Sequence, residues 1–400
     1  MHTTHPDAIA SPSAESTTLQ ARQIAFSAIP RSCWERLLSL TPSATPFARW
    51  NFHRAWWDAY GSTAHEQYLV CVPEGMAGID FEQVRAIVPL MHRHEVEPED
   101  EANRTILRAH AASHTPVRSE AKAVFFGASY HADYATILAR PADLLAVADA
   151  AARALAEPSD PIAGGKAWDV VDLRRLRSED PALDAVQHAL HANLGLRVIR
   201  EPEDVCPVVT APSGDWDEYL ATLDKKARHE IRRKLRRAAA VGTVSIEIKA
   251  PGADAIDAFI DLHRARFGET GLFPTGPGGD RSRRFIHRLA ELERAETDGG
   301  QLHVGVVRCG RRLVFAALAF DDGTTCYLYN AGMDPDAAEA SPGVTGTAEY
   351  IRDRLAAGRR RFDFLRGSEP YKYEWGARDE PIERLLVVRD AARAGAEAAA

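Results

Sequence analysis

Residues 362–376, FDFLRGSEPYKYEWG, continue a strand predicted at Arg361–Leu365 and then turn at Gly367. A helix is predicted just before them, at about 343–357. Because strands lie on both sides of this helix, the β-α-β order favours parallel pairing of those two strands. The strands before the helix are joined by short turns that favour antiparallel pairing: 301–308, 312–320 and 324–331. The stretch therefore predicts an α/β (α+β) fold with a mixed sheet and a helix that crosses over in its middle.

The order of elements in the first half of the chain is similar to that in the second half. The first half is predicted to contain a helix Trp50–Tyr60, strands at 67–72, 85–91, Thr105–Arg108 and 134–138, a helix at 142–156, a strand Trp168–Leu173, a helix at 181–193 and a strand Leu196–Arg200. The second half also contains a long helix from Trp216 to about Ala240, a strand Thr243–Lys249, helices at 252–267 and 281–295, and closing strands near 371–375 and 384–389.

Both halves contain a short run of similar composition, Val171-Asp172-Leu173-Arg174-Arg175 and Phe362-Asp363-Phe364-Leu365-Arg366. A repeat at this scale indicates duplicated lobes. We expect a disordered tail at 1–20, a first lobe at 21–211, a second lobe at 212–390 and a frayed tail at 391–400.

Composition excludes several classes of protein. The 400 residues are 45% hydrophobic and 26% charged, which is ordinary for a globular chain, and the net charge of −8 excludes a generally basic nucleic-acid binder. The five cysteines form no C-x-x-C pair, so neither a disulfide scaffold nor a zinc site is expected. No apolar run approaches the ~20 residues of a membrane span, and no secretory signal is recognisable. A cytoplasmic protein is expected.

The stretch that ends the second β-α-β unit also carries most of the reactive side chains. Asp363 is costly if it is buried alone, so it is expected either to pair, with Arg366 or Lys372, or to take part in chemistry. Asp363 or Glu369 could take a proton from an amine. Tyr371 or Tyr373 could donate one to a leaving thiolate, and Lys372 could stabilise an oxyanion. A structural salt bridge with aromatic packing is the alternative.

Two further segments suggest anion binding. The helix start Ser341-Pro342-Gly343-Val344-Thr345-Gly346 offers unpaired amides that suit a phosphate, although plain helix entry explains it as well. The run KKARHEIRRKLRR, Lys225–Arg237, concentrates cations that repel one another. It predicts contact with an anion, such as a phosphorylated cofactor, a nucleotide-linked substrate or RNA, or else a solvated helix face. The histidines show no metal-binding spacing, and no metal is expected.

Taken together, these landmarks resemble the GNAT-type acyltransferase domain of CelD-type (cellulose-biosynthesis) proteins. The similar stretches are LDKKARHEIRRKLRR, DLHRARFGETGLF, YNAGM, SPG and FDFLRGSEPYKYEWG in the second half, and WNFHRAWWDAYG, IVPLMHR and FFGASYHADYATIL in the first. The resemblance implies tandem GNAT lobes that transfer an acyl group from acetyl-CoA to a small-molecule or saccharide amine. The first lobe would be degenerate and would shape the acceptor cleft.

The resemblance also implies roles for individual residues. Acyl-CoA would lie in a gap between two central strands, with its pyrophosphate at the helix that starts at Gly343. The implied cofactor-binding residues are Tyr329, Asn330, Gly343, Val344, Thr345 and Gly346, and the implied substrate-binding residues are Arg266, Arg366 and Trp375. The usual GNAT arm, Q/R-x-x-G-x-G/A, has no matching Gln or Arg in this sequence.

A more distant resemblance is to the Fem aminoacyl ligases of peptidoglycan synthesis. Asp363 and Gly367 match the D-F-x-G part of the Fem pattern, and Tyr371, Lys372, Trp375 and Gly376 match its F-K-x-x-F-G ending, with Tyr and Trp in place of the two Phe. In that comparison Lys372 takes the place of a lysine that steadies the tetrahedral intermediate. Aminoacyl-tRNA would then be the donor, with Lys225–Arg237 on the RNA backbone. A GNAT-like scaffold without catalytic activity is the third hypothesis.

Overall fold

The computed structural model describes residues 18–93, 115, 117, 121–128, 131–157, 168–297 and 300–389. Its α-helices are α1 (Arg31–Ser39), α2 (Trp50–Tyr60), α3 (Leu144–Ala156), α4 (Pro181–Leu194), α5 (Trp216–Thr222), α6 (Lys225–Val241), α7 (Ala253–Phe267), α8 (Pro277–Arg294), α9 (Pro342–Ala356) and α10 (Pro370–Tyr373).

The strands of the first half are β1 (Leu19–Ile24), β2 (His65–Glu66), β3 (Tyr68–Pro73), β4 (Ala86–Val88), β5 (Leu90–Arg93), β6 (Ala123–Phe126), β7 (Leu138–Ala139), β8 (Val170–Arg177) and β9 (Val198–Thr210). Those of the second half are β10 (Val244–Lys249), β11 (Leu302–Cys309), β12 (Arg312–Asp321), β13 (Thr325–Met333), β14 (Arg361–Asp363) and β15 (Arg378–Val388).

These strands form two sheets. The smaller sheet has the order β1-β3-β4-β7, and the larger has the order β10-β11-β12-β13-β14-β9-β15-β8-β6-β5-β2. In the larger sheet β13 pairs with β14 in parallel, and so does β6 with β8. The helix α9 connects the first of these pairs along the chain, and α3 lies between the strands of the second. The expected α/β fold, with a mixed sheet and the same β-α-β unit in both lobes, is confirmed.

Two long strands at the centre of the larger sheet connect the lobes. β9 pairs with β14 of the second lobe and with β15, and β15 pairs in turn with β8 of the first lobe. The strand expected at Leu196–Arg200 is therefore part of a longer strand that reaches Thr210, just before the expected lobe boundary at 211. The sheet is continuous across that position, and β15 returns to the side of the first lobe.

Aromatic packing also connects the lobes. One hydrophobic cluster contains side chains of the first half, such as Phe47 and Phe52, together with Phe285 and Phe320 of the second half. Phe52 meets Phe285 edge-on with ring centroids 5.2 Å apart, and Phe47 meets Phe320 at 5.6 Å. The helix α2, predicted with its bounds as observed, thereby packs its aromatic face on α8 and β12.

Three predicted elements differ from the structure for identifiable reasons. The long helix expected from Trp216 is two helices, because the Asp224 side chain accepts hydrogen bonds from the amides of Lys226 (2.8 Å) and Ala227 (3.0 Å) and caps a new helix. The strand expected near 371–375 is the short helix α10, which begins with Pro370, a residue suited to the first turn. The expected strand at 384–389 is part of β15, which begins earlier, at Arg378.

The first β-α-β unit also begins earlier than predicted. Its first strand is β6, whereas residues 134–138 make one isolated bridge, Ala135 with Leu176, and only Leu138 joins β7. The strand predicted at Thr105–Arg108 lies outside the described residues. No helix in the described ranges is long and apolar enough to cross a bilayer.

Candidate active site

A gap opens between β13 and β14, two neighbouring strands in the interior of the larger sheet. The two strands pair only as far as Tyr327 with Asp363, where β14 ends, whereas β13 continues to Met333 along β12. The register between β12 and β13 shifts just beyond this point, and such an irregularity bends a strand away from its neighbour. Tyr329 and Asn330, both predicted to hold the cofactor, are half-buried on this uncovered length of β13.

The start of α9 follows β13 along the chain, and two of its first three residues are only half-buried. Ser341 precedes the helix with a positive φ of 48°, and its side chain makes no capping hydrogen bond. Gly343 and Val344 are half-buried. Thr345 is fully buried and donates a hydrogen bond to the carbonyl of Ala340 (2.7 Å).

Gly346 has a packing function. A Cβ at this position would lie 2.1 Å from the ring of Phe315, so the absence of a side chain lets α9 approach the sheet. Of the four residues predicted for the pyrophosphate, the structure leaves Gly343 and Val344 open to a ligand, whereas Thr345 and Gly346 pack in the interior.

Asp363 is buried where β13 and β14 separate. It is 1% exposed, and its carboxylate accepts hydrogen bonds from the Tyr134 hydroxyl (2.7 Å) and from the amide of Leu365 (2.7 Å). Burial raises the pKa of this carboxyl from 3.8 to about 6, although both hydrogen bonds and the charge of Arg361 oppose the rise. Its partners are thus Tyr134 and Leu365 rather than Arg366 or Lys372.

Lys372 holds the turn that follows β14. Its side chain is buried, and its ammonium donates to the carbonyls of Leu365 (2.9 Å), Arg366 (2.7 Å) and Gly367 (2.9 Å). It also lies 2.8 Å from a carboxylate oxygen of Glu369. An ammonium has three N–H groups, and here backbone carbonyls occupy all three. In this conformation Lys372 has no donor left for an oxyanion.

Glu369 and Tyr371 are the accessible polar groups of the same stretch. The side chain of Glu369 is 28% exposed, and Tyr371 is 50% exposed. The Tyr371 ring meets Phe364 edge-on at 6.2 Å. Partial burial and the charge of Glu369 raise the pKa of its phenol well above the usual value, although the charge of Arg266 opposes the rise. Both side chains are partly exposed, although Oε2 of Glu369 is buried beside Lys372, whereas Asp363 and Lys372 are enclosed.

The three residues predicted to bind substrate lie in different environments. Arg266 is exposed at the end of α7, over the ring of Phe267, and contacts the sulfur of Met333. Trp375 is 2% exposed in the core, and its carbonyl accepts a hydrogen bond from Tyr219 (2.7 Å). Arg366 is largely buried and pairs with Asp133 of the first lobe. Of the three, only Arg266 is exposed.

The basic helix α6 packs beside the start of α9. Arg237 donates to the carbonyls of Ala338 (2.7 Å) and Glu339 (2.9 Å), in the turn that leads into α9. Many of the cations remain exposed: Lys225, Lys226, Arg232, Arg233, Arg236 and Arg237. Arg232 and Arg233 are paired with acidic residues at the surface.

Sequence reasoning did not single out three residues of the first lobe that contact this site: His131, Asp133 and Tyr134. The stretch HADYATIL contributes only to the resemblance to CelD-type proteins. Three polar or aromatic residues immediately before an apolar strand are a weak signal, because their partners lie about 200 positions away along the chain. No group of three or more His, Cys, Asp or Glu arranged to hold a metal occurs in the parts of the chain that the structure covers.

A comparison with protein-family models matches the segment of the chain that contains the gap and the start of α9. A family model for the acetyltransferase (GNAT) domain matches residues 225–373, which include α6, the gap, the start of α9 and Lys372. A comparison with curated proteins found no match. The GNAT part of the predicted resemblance is confirmed for this segment, and the CelD-type assignment stays a prediction.

Two solved structures are similar in fold to most of the chain. FemX has 10% sequence identity and a TM-score of 0.54, and the alignment covers 91% of this chain and 96% of that one. A conserved protein of unknown function from Bacteroides thetaiotaomicron VPI-5482 has 13% identity and a TM-score of 0.51, with 90% and 98% of the two chains covered. At such low identities the likeness extends to the fold alone.

Proposed function

We propose that this protein is an N-acyltransferase that moves an acyl group, acetyl in the simplest case, from acyl-CoA to an amine. The observation that carries the proposal is the match of residues 225–373 to the GNAT domain, because that segment contains both the gap and the start of α9. The acyl thioester would enter between β13 and β14. Its pyrophosphate would meet the amides of Gly343 and Val344 at the positive end of the α9 dipole.

The fit at α9 differs from the usual GNAT arrangement. The sequence lacks the Gln or Arg that normally begins the phosphate arm, and Ser341 stands immediately before the helix instead. We propose that α6 compensates for this, because Arg237 fixes the turn before α9 and neighbouring cations on α6 add positive charge. Attraction of this kind extends about one Debye length, ~10 Å at ordinary ionic strength.

The proposed reaction needs one base and one acid. The amine nitrogen attacks the thioester carbonyl carbon, and the C–S bond breaks as the C–N bond forms. Glu369 takes the proton that the amine loses, and Tyr371 donates a proton to the departing CoA thiolate. We assign these roles to Glu369 and Tyr371 because both side chains are accessible, whereas Asp363 is enclosed.

Asp363 and Lys372 would then be positioning residues. Asp363 accepts a hydrogen bond from the amide of Leu365, a residue with a positive φ of 57°. Lys372 donates hydrogen bonds to the three carbonyls that follow β14. Together they fix the turn from which Glu369 and Tyr371 project. This role replaces the oxyanion contact expected of Lys372, since its N–H groups are already engaged.

We further propose that the acceptor is a small-molecule or saccharide amine, such as an amino sugar or polysaccharide precursor, and that the enzyme acts in the cytoplasm. The saccharide assignment follows from the CelD-type resemblance. The first lobe would close one side of the acceptor cleft, because its segment around Asp133 lies beside Arg366 at the end of β14.

The direct test is release of free CoA thiol from acetyl-CoA in the presence of a panel of amino sugars, diamines and amino acids. Tyr371→Phe is expected to lower kcat by about 10²–10⁴ without loss of stability, since the ring is half-exposed. The matched control is Tyr373→Phe. The Tyr373 hydroxyl donates to Asp379 (2.7 Å), and we expect its removal to leave activity unchanged. Equal activity of wild type and Tyr371→Phe would refute the assigned role.

A second candidate, aminoacyl transfer from tRNA, is supported by the fold likeness to FemX along 91% of the chain. The exposed cations of α6 would then neutralise RNA phosphates. Binding of tRNA would weaken steeply with salt, and its logarithmic slope would become shallower when Lys225 and Lys226 are replaced by Gln. Salt-independent binding, or no binding, would eliminate this candidate.

A further inference from the structure

The segment His131–Tyr134 of the first lobe is held firmly within its own lobe. The amides of His131 and Ala132 donate to the carbonyl of Ala128 (3.2 and 3.0 Å). The Arg175 guanidinium donates to the carbonyl of Ala132 (2.6 Å), and the amide of Ala135 donates to the carbonyl of Arg175 (2.9 Å). The segment is therefore fixed at both ends by backbone contacts.

Three side chains of this segment each contact one residue of the proposed site. The hydroxyl of Tyr134 donates to Asp363 (2.7 Å), and Asp133 pairs with Arg366. Nδ1 of His131 lies 3.1 Å from the hydroxyl of Tyr329, on the uncovered length of β13. All three contacts are buried or largely buried, so water competes little with them.

The surrounding hydrogen bonds indicate that His131 is the donor in its side-chain contact with Tyr329. The Tyr329 hydroxyl donates to the backbone carbonyl of His131 (3.0 Å), so its oxygen is left to accept from Nδ1–H. Nε2 then accepts from the Tyr60 hydroxyl (2.8 Å), which in turn contacts Ser282 (3.0 Å). Burial, aided by the charges of Arg175 and Arg366, lowers the pKa of His131 to about 3, so the ring is neutral at neutral pH.

We propose that the segment His131–Tyr134 is a positioning element of the acyl-transfer site, through which the first lobe orients Asp363, Arg366 and Tyr329 on the second lobe. The inference rests on the proposed function, because that function defines the site as one of acyl transfer. The contacts themselves can be tested without an acyl-transfer assay. It makes the first lobe a necessary part of the site, and the second lobe alone would be incomplete.

The effect of the segment on the second lobe can be measured through the ionisation of Asp363. The groups that face it come from several elements: Tyr134 of the segment, Arg361 on β14, Glu380 on β15, Cys206 on β9 and Tyr327 on β13. Among these, the Tyr134 hydroxyl stabilises the ionised carboxylate directly through a hydrogen bond. Its removal should therefore make Asp363 harder to ionise.

The experiment compares Tyr134→Phe with Tyr68→Phe in the full-length protein. Tyr68 is also buried in the first lobe, but its hydroxyl contacts His53 (2.7 Å) and Trp57 (2.9 Å) rather than Asp363. The titration of Asp363 is obtained from the pH dependence of stability, as the difference between each variant and the same variant with Asp363→Asn added.

The expected result is an upward shift of the Asp363 titration by about one to two pH units in Tyr134→Phe and none in Tyr68→Phe. In a transfer assay, kcat should fall in Tyr134→Phe, because Asp363 helps to fix the turn that carries Glu369 and Tyr371, while the KM for acetyl-CoA changes less than twofold. An unshifted titration, or equal shifts in both variants, would overturn the inference. If Asp363 shifts as expected but no amine is acylated by the wild type, the proposed function fails and the positioning contact stands.

Discussion

The central buried carboxyl, Asp363, gives a prediction of unusual sign: replacing it with Asn should stabilise the protein at neutral pH. The carboxyl is 1% exposed and has a pKa of about 6, raised from 3.8 chiefly by burial. A raised folded-state pKa means that the native state binds the proton more tightly than the unfolded chain. The contribution of Asp363 to stability is therefore greatest below about pH 4, falls as the pH rises through about 6, and is constant above that range.

The magnitude follows from the difference between the two pKa values. A shift of about two pH units corresponds to roughly 3 kcal/mol of stability lost on ionisation. Asn has nearly the same shape, carries no charge, and keeps an oxygen for the Leu365 amide. Its NH₂ group can donate to the Tyr134 oxygen, and that hydroxyl lies within reach of Cys206. We expect Asp363→Asn to be more stable than wild type by up to about 3 kcal/mol at pH 7.5.

The assay is denaturant unfolding from pH 4 to pH 8, with Asp172→Asn as the matched comparison. Asp172 is the counterpart of Asp363 in the first lobe, and it contacts Arg384 (2.6 and 2.9 Å) and Arg174 (3.1 Å). Burial disfavours its ionised form, but these two cations outweigh burial and hold its pKa well below the ordinary value. Asp172→Asn should lose stability at neutral pH, by up to about 3–5 kcal/mol, because the buried Arg384 loses one of its two carboxylate partners and keeps Glu201 (2.6 Å).

Two carboxylates at matching positions are thus predicted to respond in opposite directions. A loss of stability in Asp363→Asn at pH 7.5, or a difference from wild type that does not change with pH, would refute this account of Asp363.

Two further predictions concern positioning and packing. Lys372→Met should destabilise the protein by about 3–5 kcal/mol in denaturant unfolding, because three buried carbonyls lose their donor, whereas Lys226→Met on the exposed face of α6 should change stability by less than ~0.5 kcal/mol. Gly346→Ala should cost about 1–3 kcal/mol through its clash with Phe315, whereas Gly343→Ala should be nearly neutral, because its Cβ meets only the flexible end of Met333 at 3.1 Å. Equal effects within either pair would contradict the corresponding contact.

Much of the order of elements could be predicted from the sequence, because periodicity and turn residues are local signals. The helix Trp50–Tyr60 and the parallel pairing across α9 could be predicted in this way. The break between α5 and α6 was missed, because an apolar stripe continues through it and only the capping geometry of Asp224 reveals it. β6 was missed as the first strand of its unit, because it is only four residues long and the apolar residues at 134–138 lie closer to α3 along the chain.

The candidate site was harder to predict because residue type does not determine burial. Lys372, Trp375 and Asp363 have reactive or ligand-binding side chains, yet the structure encloses all three. Glu369 and Tyr371, on the same stretch, remain accessible. The contribution of Tyr134 depends on a contact between residues 229 positions apart in the sequence, for which a single sequence gives no signal.

The central claim, that acyl-CoA binds at the gap and the start of α9, is tested most directly by calorimetric titration with acetyl-CoA. Gly343→Asp places a negative charge where the pyrophosphate is proposed to bind, although an acidic residue in the first turn favours the helix itself. Gly252→Asp makes the same change at the start of α7, where a Cβ meets nothing within 4 Å, and serves as the control. We predict saturable binding to wild type and Gly252→Asp, weakened at least about tenfold in Gly343→Asp, which corresponds to roughly 1.4 kcal/mol. No binding to the wild type, or equal affinity in all three proteins, would contradict the claim.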